Sequence, residues 1–388
     1  MKRRHFLSLT GTFTGGYLLL PQFLHAFGSS KGLGKNAARV VFLQLNGGND
    51  GLNTLIPYSD PLYYQFRPSI AIPKNEVLRI NDQLGWNPKL KGLAAIQQAG
   101  HLSVIQNVGY PNPNRSHFRS QEIWETASGS DTYLDQGWLG RYLDIHCQDI
   151  DPVAGVNINS VDNLALAGKQ PNSVTLRNPT QFKPVLNGQS KDLETDNPQL
   201  DFVRRIAFGT SQGAELIQAA MKKGKEASYY PNTNIGRNLK WIAQLIKGQL
   251  DTQVYYTSLN GFDTHDNQLI AHHRQLDQFD QAVSAFYKDL KENRLLEEVT
   301  LVIFSEFGRR VKDNGSGTDH GKAAPMLVMG AHTRGNIIGV NPDLFRLDDG
   351  DLAHKIDFRS VYASILEDVL NFDPKKINID QQRLNGLF

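Results

Sequence analysis

Val40-Val41-Phe42-Leu43-Gln44-Leu45, followed at once by Asn46-Gly47-Gly48-Asn49-Asp50, is the stretch on which the fold turns. A short β-branched, apolar run that stops at glycines reads as a central strand buried on both faces. Similar runs occur later. Residues 254–259 precede Asp263-Thr264-His265, residues 300–305 precede Glu306, and Asp319-His320 comes a short loop further on. In an open α/β sheet the carboxyl ends of parallel strands converge on one crevice, and ligands bind there. Carboxylates and imidazoles gathered in that crevice suit a hard or borderline divalent cation such as Zn²⁺, Mn²⁺ or Mg²⁺. The pattern predicts a metal-assisted hydrolase.

Working outward, strands and helices alternate. Residues 88–100 read as a helix ending at glycine, 102–108 as a second strand, and 116–127 as a helix after the loop Tyr110-Pro111-Asn112-Pro113-Asn114. Such alternation argues for parallel pairing. The stretch 153–234 is rich in Asn, Pro, Gln and Gly. It holds short strand-like pieces at 153–158 and 173–176 and a helix at 199–223, and is expected to be an inserted cap or lid. Helical periodicity returns at 235–250. An amphipathic helix at 268–293 carries Leu269, Leu276, Phe279, Val283, Phe286 and Leu290 on one side. Strands at 300–304 and 326–329 and a helix at 358–370 close the sheet.

Lys2-Arg3-Arg4-His5-Phe6-Leu7 is a twin-arginine pair before a hydrophobic, small-residue run, with a processing site after Leu24-His25-Ala26. The run is short and broken by glycine and proline, as in a secretory signal rather than a membrane span. Residues 1–28 are therefore expected to be a signal for the twin-arginine export machinery, and 36–388 the folded domain, periplasmic or secreted. An ordinary secretory signal or an uncleaved anchor is the competing reading. Lys+Arg 41 against Asp+Glu 39 is nearly balanced, with no basic stripe, so nucleic acid is not an expected partner. The one cysteine, Cys147, excludes an intramolecular disulfide and reads as a half-buried packing residue.

Taken in order, the signal, Leu45-Asn46-Gly47-Gly48-Asn49-Asp50-Gly51, Arg115-Ser116-His117-Phe118, Asp263-Thr264-His265, Ser305-Glu306-Phe307-Gly308-Arg309 and Asp319-His320-Gly321 form a set. That set resembles a twin-arginine-exported bacterial family of unassigned function, placed in the alkaline phosphatase/sulfatase superfamily. The resemblance covers nearly the whole mature chain. It implies a three-layer α/β/α sandwich with a mostly parallel sheet and an inserted cap. It also implies an anionic ester substrate, phosphate mono- or diester, and one or two divalent ions, Zn or Mn.

Position by position, the resemblance puts an aspartate after the first strand at Asp50 and the nucleophile at Ser116. A close aspartate and histidine fall at Asp263 and His265, the next acidic ligand at Glu306 and the last histidine at His320. Superfamily members commonly carry histidine directly after the second acidic residue, where this chain has Phe307, and the Asp263–His265 spacing is tighter than usual. Asp263, His265 and His320 would hold one cation, Asp50 and Glu306 the other, about 4 Å away in a two-metal clamp. Arg115 or Arg119 would grip the non-bridging oxygens, and Asp319 and His117 would orient the ligands. Sulfatases of the superfamily convert a Cys or Ser within a Pro/Arg motif; neither Ser116-His117-Phe118-Arg119 nor Cys147 fits it.

Each residue has a plainer reading. Asp50 suits a turn or a helix cap, Ser116 an N-cap, and Asp263-Thr264-His265-Asp266 the cap of the following helix. Glu306 is placed to pair with Arg309 or Arg310. His272-His273 and His101 are expected on helix or loop surfaces, and Tyr255-Tyr256 and Trp124 in packing. Three other functions compete with phosphate ester hydrolysis. They are a degenerate member binding an envelope glycan or protein without turnover, a sulfate ester hydrolase, and a metal-free Ser-His-Asp esterase with His117 or His320 as base. The chain lacks a Gly-x-Ser-x-Gly elbow for the last of these.

Overall fold

In a computed structural model, β1 (Arg39–Asn46) runs through the middle of the sheet and sorts its side chains to two faces. Val41, Leu43 and Leu45 enter one apolar core, Val40 and Phe42 the other, as the two-residue period of a strand requires. The structure describes residues 38–147, 149–183 and 198–388, with backbone alone over 198–210. The expected signal, residues 1–28, lies outside the described residues.

The other strands are β2 (Leu55–Ile56), β3 (Leu78–Arg79), β4 (Gly85–Trp86), β5 (Leu102–Gly109), β6 (Gly155–Asn157) and β7 (Ser173–Thr175). After them come β8 (Val254–Asn260), β9 (Val299–Phe304), β10 (Ala324–Met329), β11 (Ile337–Ile338) and β12 (Ile356–Asp357). The main sheet has the order β11-β5-β10-β9-β1-β8-β6-β7, with β12 also on β5. β1 pairs in parallel with β8 (Val40 opposite Val254) and with β9 (Arg39 opposite Val299). β6 continues in parallel from β8, and β7 from β6.

Among the described residues, only β10 runs against its neighbours in this sheet, antiparallel to both β9 and β5. The reason is its connection. A parallel return usually crosses over through a helix, whereas residues 305–323 form an irregular loop with no helix. That loop folds back on itself, with Arg309 bridged to His320 and Gly321 N–H donating to Gly308 O at 2.8 Å. His320 thereby arrives at the edge of the sheet where β1, β5, β8 and β9 end.

Helices cover both faces, giving a three-layer α/β/α sandwich with a mostly parallel central sheet. Lys91–Gln98, Asn234–Lys247 and Gln268–Glu292 pack on one core through Leu93, Ile242 and Phe279. His117–Thr126, Trp138–His146 and Phe358–Ser364 pack on the other through Trp124, Trp138 and Tyr362, whose rings stack or meet edge-on. Trp124, Tyr255 and Tyr256 are buried packing residues and Cys147 is half-buried, as expected. Within 153–234, read as a cap or lid, β6 and β7 extend the main sheet. Residues 184–197 of that stretch lie outside the described residues. Among the described residues no helix is long and apolar enough to cross a membrane.

Candidate metal centre

Four loops meet at the carboxyl edge of the sheet. A side chain on Gly47, in the loop after β1, would collide with the backbone of Asp263 in the loop after β8, and Gly47 has φ +116°. Glycine at 47 is what lets the two loops touch. Arg309, 2% exposed, ties them together. Its guanidinium donates to Gly48 O at 2.8 Å, Thr318 O at 2.8 Å, Phe262 O at 2.9 Å and Asp263 Oδ1 at 2.6 Å.

His117, Asp263 and His320 form the cluster, with one ligand atom from each lying within 4.8 Å of the others. His320 Nε2 is 3.1 Å from Asp263 Oδ1, and His117 Nε2 is 3.4 Å from Asp263 Oδ2. His265 Nε2 lies 3.0 Å from both Asp263 Oδ1 and His320 Nε2.

The far side of each ring decides what the near side offers. His320 Nδ1 faces the carbonyl of Arg115 at 2.8 Å, His117 Nδ1 faces Glu306 Oε1 at 2.9 Å, and His265 Nδ1 faces Asp319 Oδ1 at 3.2 Å. A carbonyl or carboxylate oxygen only accepts, so each Nδ1 carries the proton in the neutral imidazole and each Nε2 keeps a bare lone pair. Three lone pairs and a carboxylate thus face one another. His117 Nε2 is buried with no hydrogen-bond partner at all. A cation relieves such a convergence of acceptors, and an N/O donor set of this kind fits Zn²⁺ or Mn²⁺.

The charges around the cluster are uneven. Burial alone would raise the Asp263 carboxyl, but the hydrogen bond and charge of the Arg309 guanidinium hold it down at about 2. The hydrogen bond to Glu306 raises the His117 imidazole above its ordinary value, against the effect of burial. Phe307, 1% exposed, lies against His117 and His320 with ring centroids 4.9 and 4.7 Å away. It makes an apolar wall on that side of the cluster.

The remaining expected residues lie around this centre. Glu306, read as a ligand, is fully buried and stands behind His117, accepting also from Gly47 N–H at 2.8 Å. His117, read as an orienting residue, has its Nε2 in the cluster that could hold a cation, with Glu306 behind it on Nδ1. Asp50 is buried in an ion pair with Arg67 at 2.6 Å, accepts from Gln268 and caps Gly51–Thr54 through Leu52 N–H and Asn53 N–H. Burial would raise its carboxyl, but Arg67 more than reverses that. Ser116 starts the helix His117–Thr126 without capping it through its side chain, and is exposed.

Both arginines read as phosphate grips are engaged elsewhere. Arg115 binds Asp351 at 2.5 Å and Asp349 at 3.0 Å, while Arg119 binds Glu122 and the carbonyls of Ser130 and Thr132 and lies over the Tyr133 ring. His272, expected at the surface, is 1% exposed and hydrogen-bonded to Asn49 Oδ1 at 2.8 Å; burial lowers its imidazole to about 4. Arg67, Gln268 and the stapling role of Arg309 escaped the sequence reading. Only the last had a signal, since an arginine three residues after Glu306 follows a strand end directly.

A family model described as "Protein of unknown function (DUF1501)" matches residues 104–382. The chain belongs to the DUF1501 family. No curated protein matches it. Among solved structures, the C-terminal periplasmic domain of EcEptC from Escherichia coli, in complex with Zn, is similar at 11% identity and TM-score 0.38, over 77% of this chain and 74% of that one. The lipoteichoic acid synthase LtaP from Listeria monocytogenes is similar at 10% identity and TM-score 0.39, over 84% and 77%. The phosphonate monoester hydrolase SpPMH from Silicibacter pomeroyi is similar at 8% identity and TM-score 0.41, over 89% and 76%. At such identities and scores, the function of this DUF1501 chain has to be argued from its own residues.

Proposed function

We propose that this chain is an exported, metal-dependent hydrolase of phosphate mono- or diesters. The observation that carries the reading is the convergence of His117, His265 and His320 Nε2 lone pairs on the Asp263 carboxylate, with His117 Nε2 otherwise unpartnered. His117, Asp263 and His320 would hold the cation and His265 would adjoin it. When bound, the cation supplies a Lewis-acid charge for the ester oxygens.

Ser116 is the nucleophile in this reading. Its hydroxyl is not used as a cap, and the helix-terminal amides beside it favour an anion. Ser116 Oγ gives up its proton and bonds to phosphorus, the ester P–O bond breaks, and the departing alcohol takes that proton. His265, half exposed and oriented by Asp319, is the proton carrier. Water then cleaves the phosphoserine and restores the hydroxyl. The test is hydrolysis of aryl phosphate mono- and diesters by the metal-loaded chain, beside Ser116→Ala. Loss of turnover with metal retained supports the assignment; near-normal turnover removes Ser116 from it.

Phe307 favours a second reading, binding without turnover. It fills one flank of the cluster with an apolar ring, which suits one cation rather than a pair. Metal uptake without hydrolysis of phosphate or sulfate esters would select that reading.

A further inference from the structure

A cavity of about 300 Å³ lies between the helix His117–Thr126 and the loop after β6. Its volume is at the small end of the range for small-molecule sites. Two of its lining residues adjoin the His117–Asp263–His320 site in the chain: Phe118 follows His117, and Asn46 precedes Gly47, whose amide donates to Glu306.

Its lining is uncharged or acidic. Gln44, Asn46, Gln121, Asn159 and Asn163 bring carboxamides, and Glu122, Glu125 and Asp162 bring carboxylates, with no lysine, arginine or histidine among the described lining residues. A phosphate or sulfate group would be repelled. An ammonium group is also poorly served, because Glu122 is paired with Arg119 at 3.0 Å, burial lifts the Glu125 carboxyl to about 7, and Asp162 is exposed to water. Hydroxyl groups fit best. Each both donates and accepts, as carboxamides do, so it can share the hydrogen bonds that already join Asn159 to Ser258 and Asn163 to Glu125 along this lining. Phe118 and Val161, at 83% and 66% exposure, add apolar surface to the lining.

We infer that this pocket binds an uncharged, hydroxyl-rich group, a sugar ring or polyol, carried by the ester whose anionic head meets the His117–Asp263–His320 cluster. The link to turnover rests on the hydrolase reading; the binding of the neutral group does not.

The test is ligand-observed NMR on the full chain with glucose, galactose, N-acetylglucosamine, glycerol and ethanolamine as probes. The parent is compared with His320→Ala, Asn159→Leu and Phe118→Ala, each checked for folding by circular dichroism. Phe118 is exposed enough that its loss leaves a folded variant. Binding of a saccharide or glycerol by the parent and His320→Ala, weakened roughly fivefold or more in Asn159→Leu and Phe118→Ala, is the expected result. Binding of ethanolamine alone, or of no probe, overturns the inference, even where an aryl phosphate is hydrolysed and the hydrolase reading stands. Saccharide binding with no cleavage of aryl phosphates or of the matching sugar phosphates does the reverse. It keeps the pocket and ends the hydrolase reading.

Discussion

Asp50 and Asp263 follow β1 and β8, neighbouring strands that end at the same edge of the sheet, yet they meet opposite surroundings. Asp50 is sealed from water and faces only donors: Arg67, Gln268 and two helix amides. Asp263 is half exposed, takes one donor, Arg309, on Oδ1, and shares the rest of its space with three imidazole nitrogens whose protons point away. A carboxylate among donors is a finished structural element. A carboxylate among lone pairs calls for a cation. The difference shows that strand-end position brings acidic residues to the crevice, while the balance of donors and acceptors decides which of them is free to work.

The largest effects should fall on the Asp263 side. Asp263→Ala/His320→Ala removes two ligand atoms, so bound metal and ester turnover should vanish together in elemental analysis and rate assays, with the fold retained. Ser116→Ala should abolish turnover yet leave metal content unchanged. Its stability in denaturant should shift by less than the ~1 kcal/mol usual for losing an N-cap, since Ser116 makes no side-chain cap bond.

On the Asp50 side the effect is on stability. Arg67→Met leaves a buried carboxylate without its cation and should cost about 3–5 kcal/mol in urea unfolding. Metal affinity should change little in the folded fraction. A variant that loses metal but no stability would break the contrast. Between the two sides sits Glu306→Gln, which keeps the shape but removes the charge that orients His117. Metal affinity should fall about 10–100-fold, read by competition with a chelator.

The smallest effect concerns pH. His272 is buried and its imidazole lowered to about 4, whereas an unfolded histidine titrates near about 6.5. Between those values the unfolded chain binds the extra proton, so stability falls as pH drops through the window, by about 1.4 kcal/mol per unit. Unfolding curves from pH 7 to 4.5 should flatten in His272→Gln. An unchanged slope would assign the acid sensitivity to other groups.

The strands that carry the site were legible because each is a run of apolar, β-branched residues long enough to be buried on both faces. β1, β5, β8 and β9 fall within a residue or so of their expected limits. The direction of β10 was not legible, because it depends on the missing crossover after β9 and not on residues 324–329 themselves. Nor were β2, β3 and β4, two-residue strands set by the tertiary fold of a Pro-rich stretch. At the site, Asp263, His265 and His320 were visible as acid and imidazole close behind strands. The placement of His117 between Glu306 and Asp263 was hidden, since it depends on how the helix start turns the ring. Arg67 was hidden too. Nothing in an arginine 17 residues after Asp50 announces a buried ion pair.

Calorimetric titration of Zn²⁺ and Mn²⁺ into chelator-treated protein tests the account most directly, with Asp263→Ala/His320→Ala and Asp50→Asn run alongside. The account predicts uptake by the parent, retention of that uptake in the folded fraction of Asp50→Asn, and its loss in the double variant. No uptake by the parent, or uptake undiminished in Asp263→Ala/His320→Ala, would contradict it.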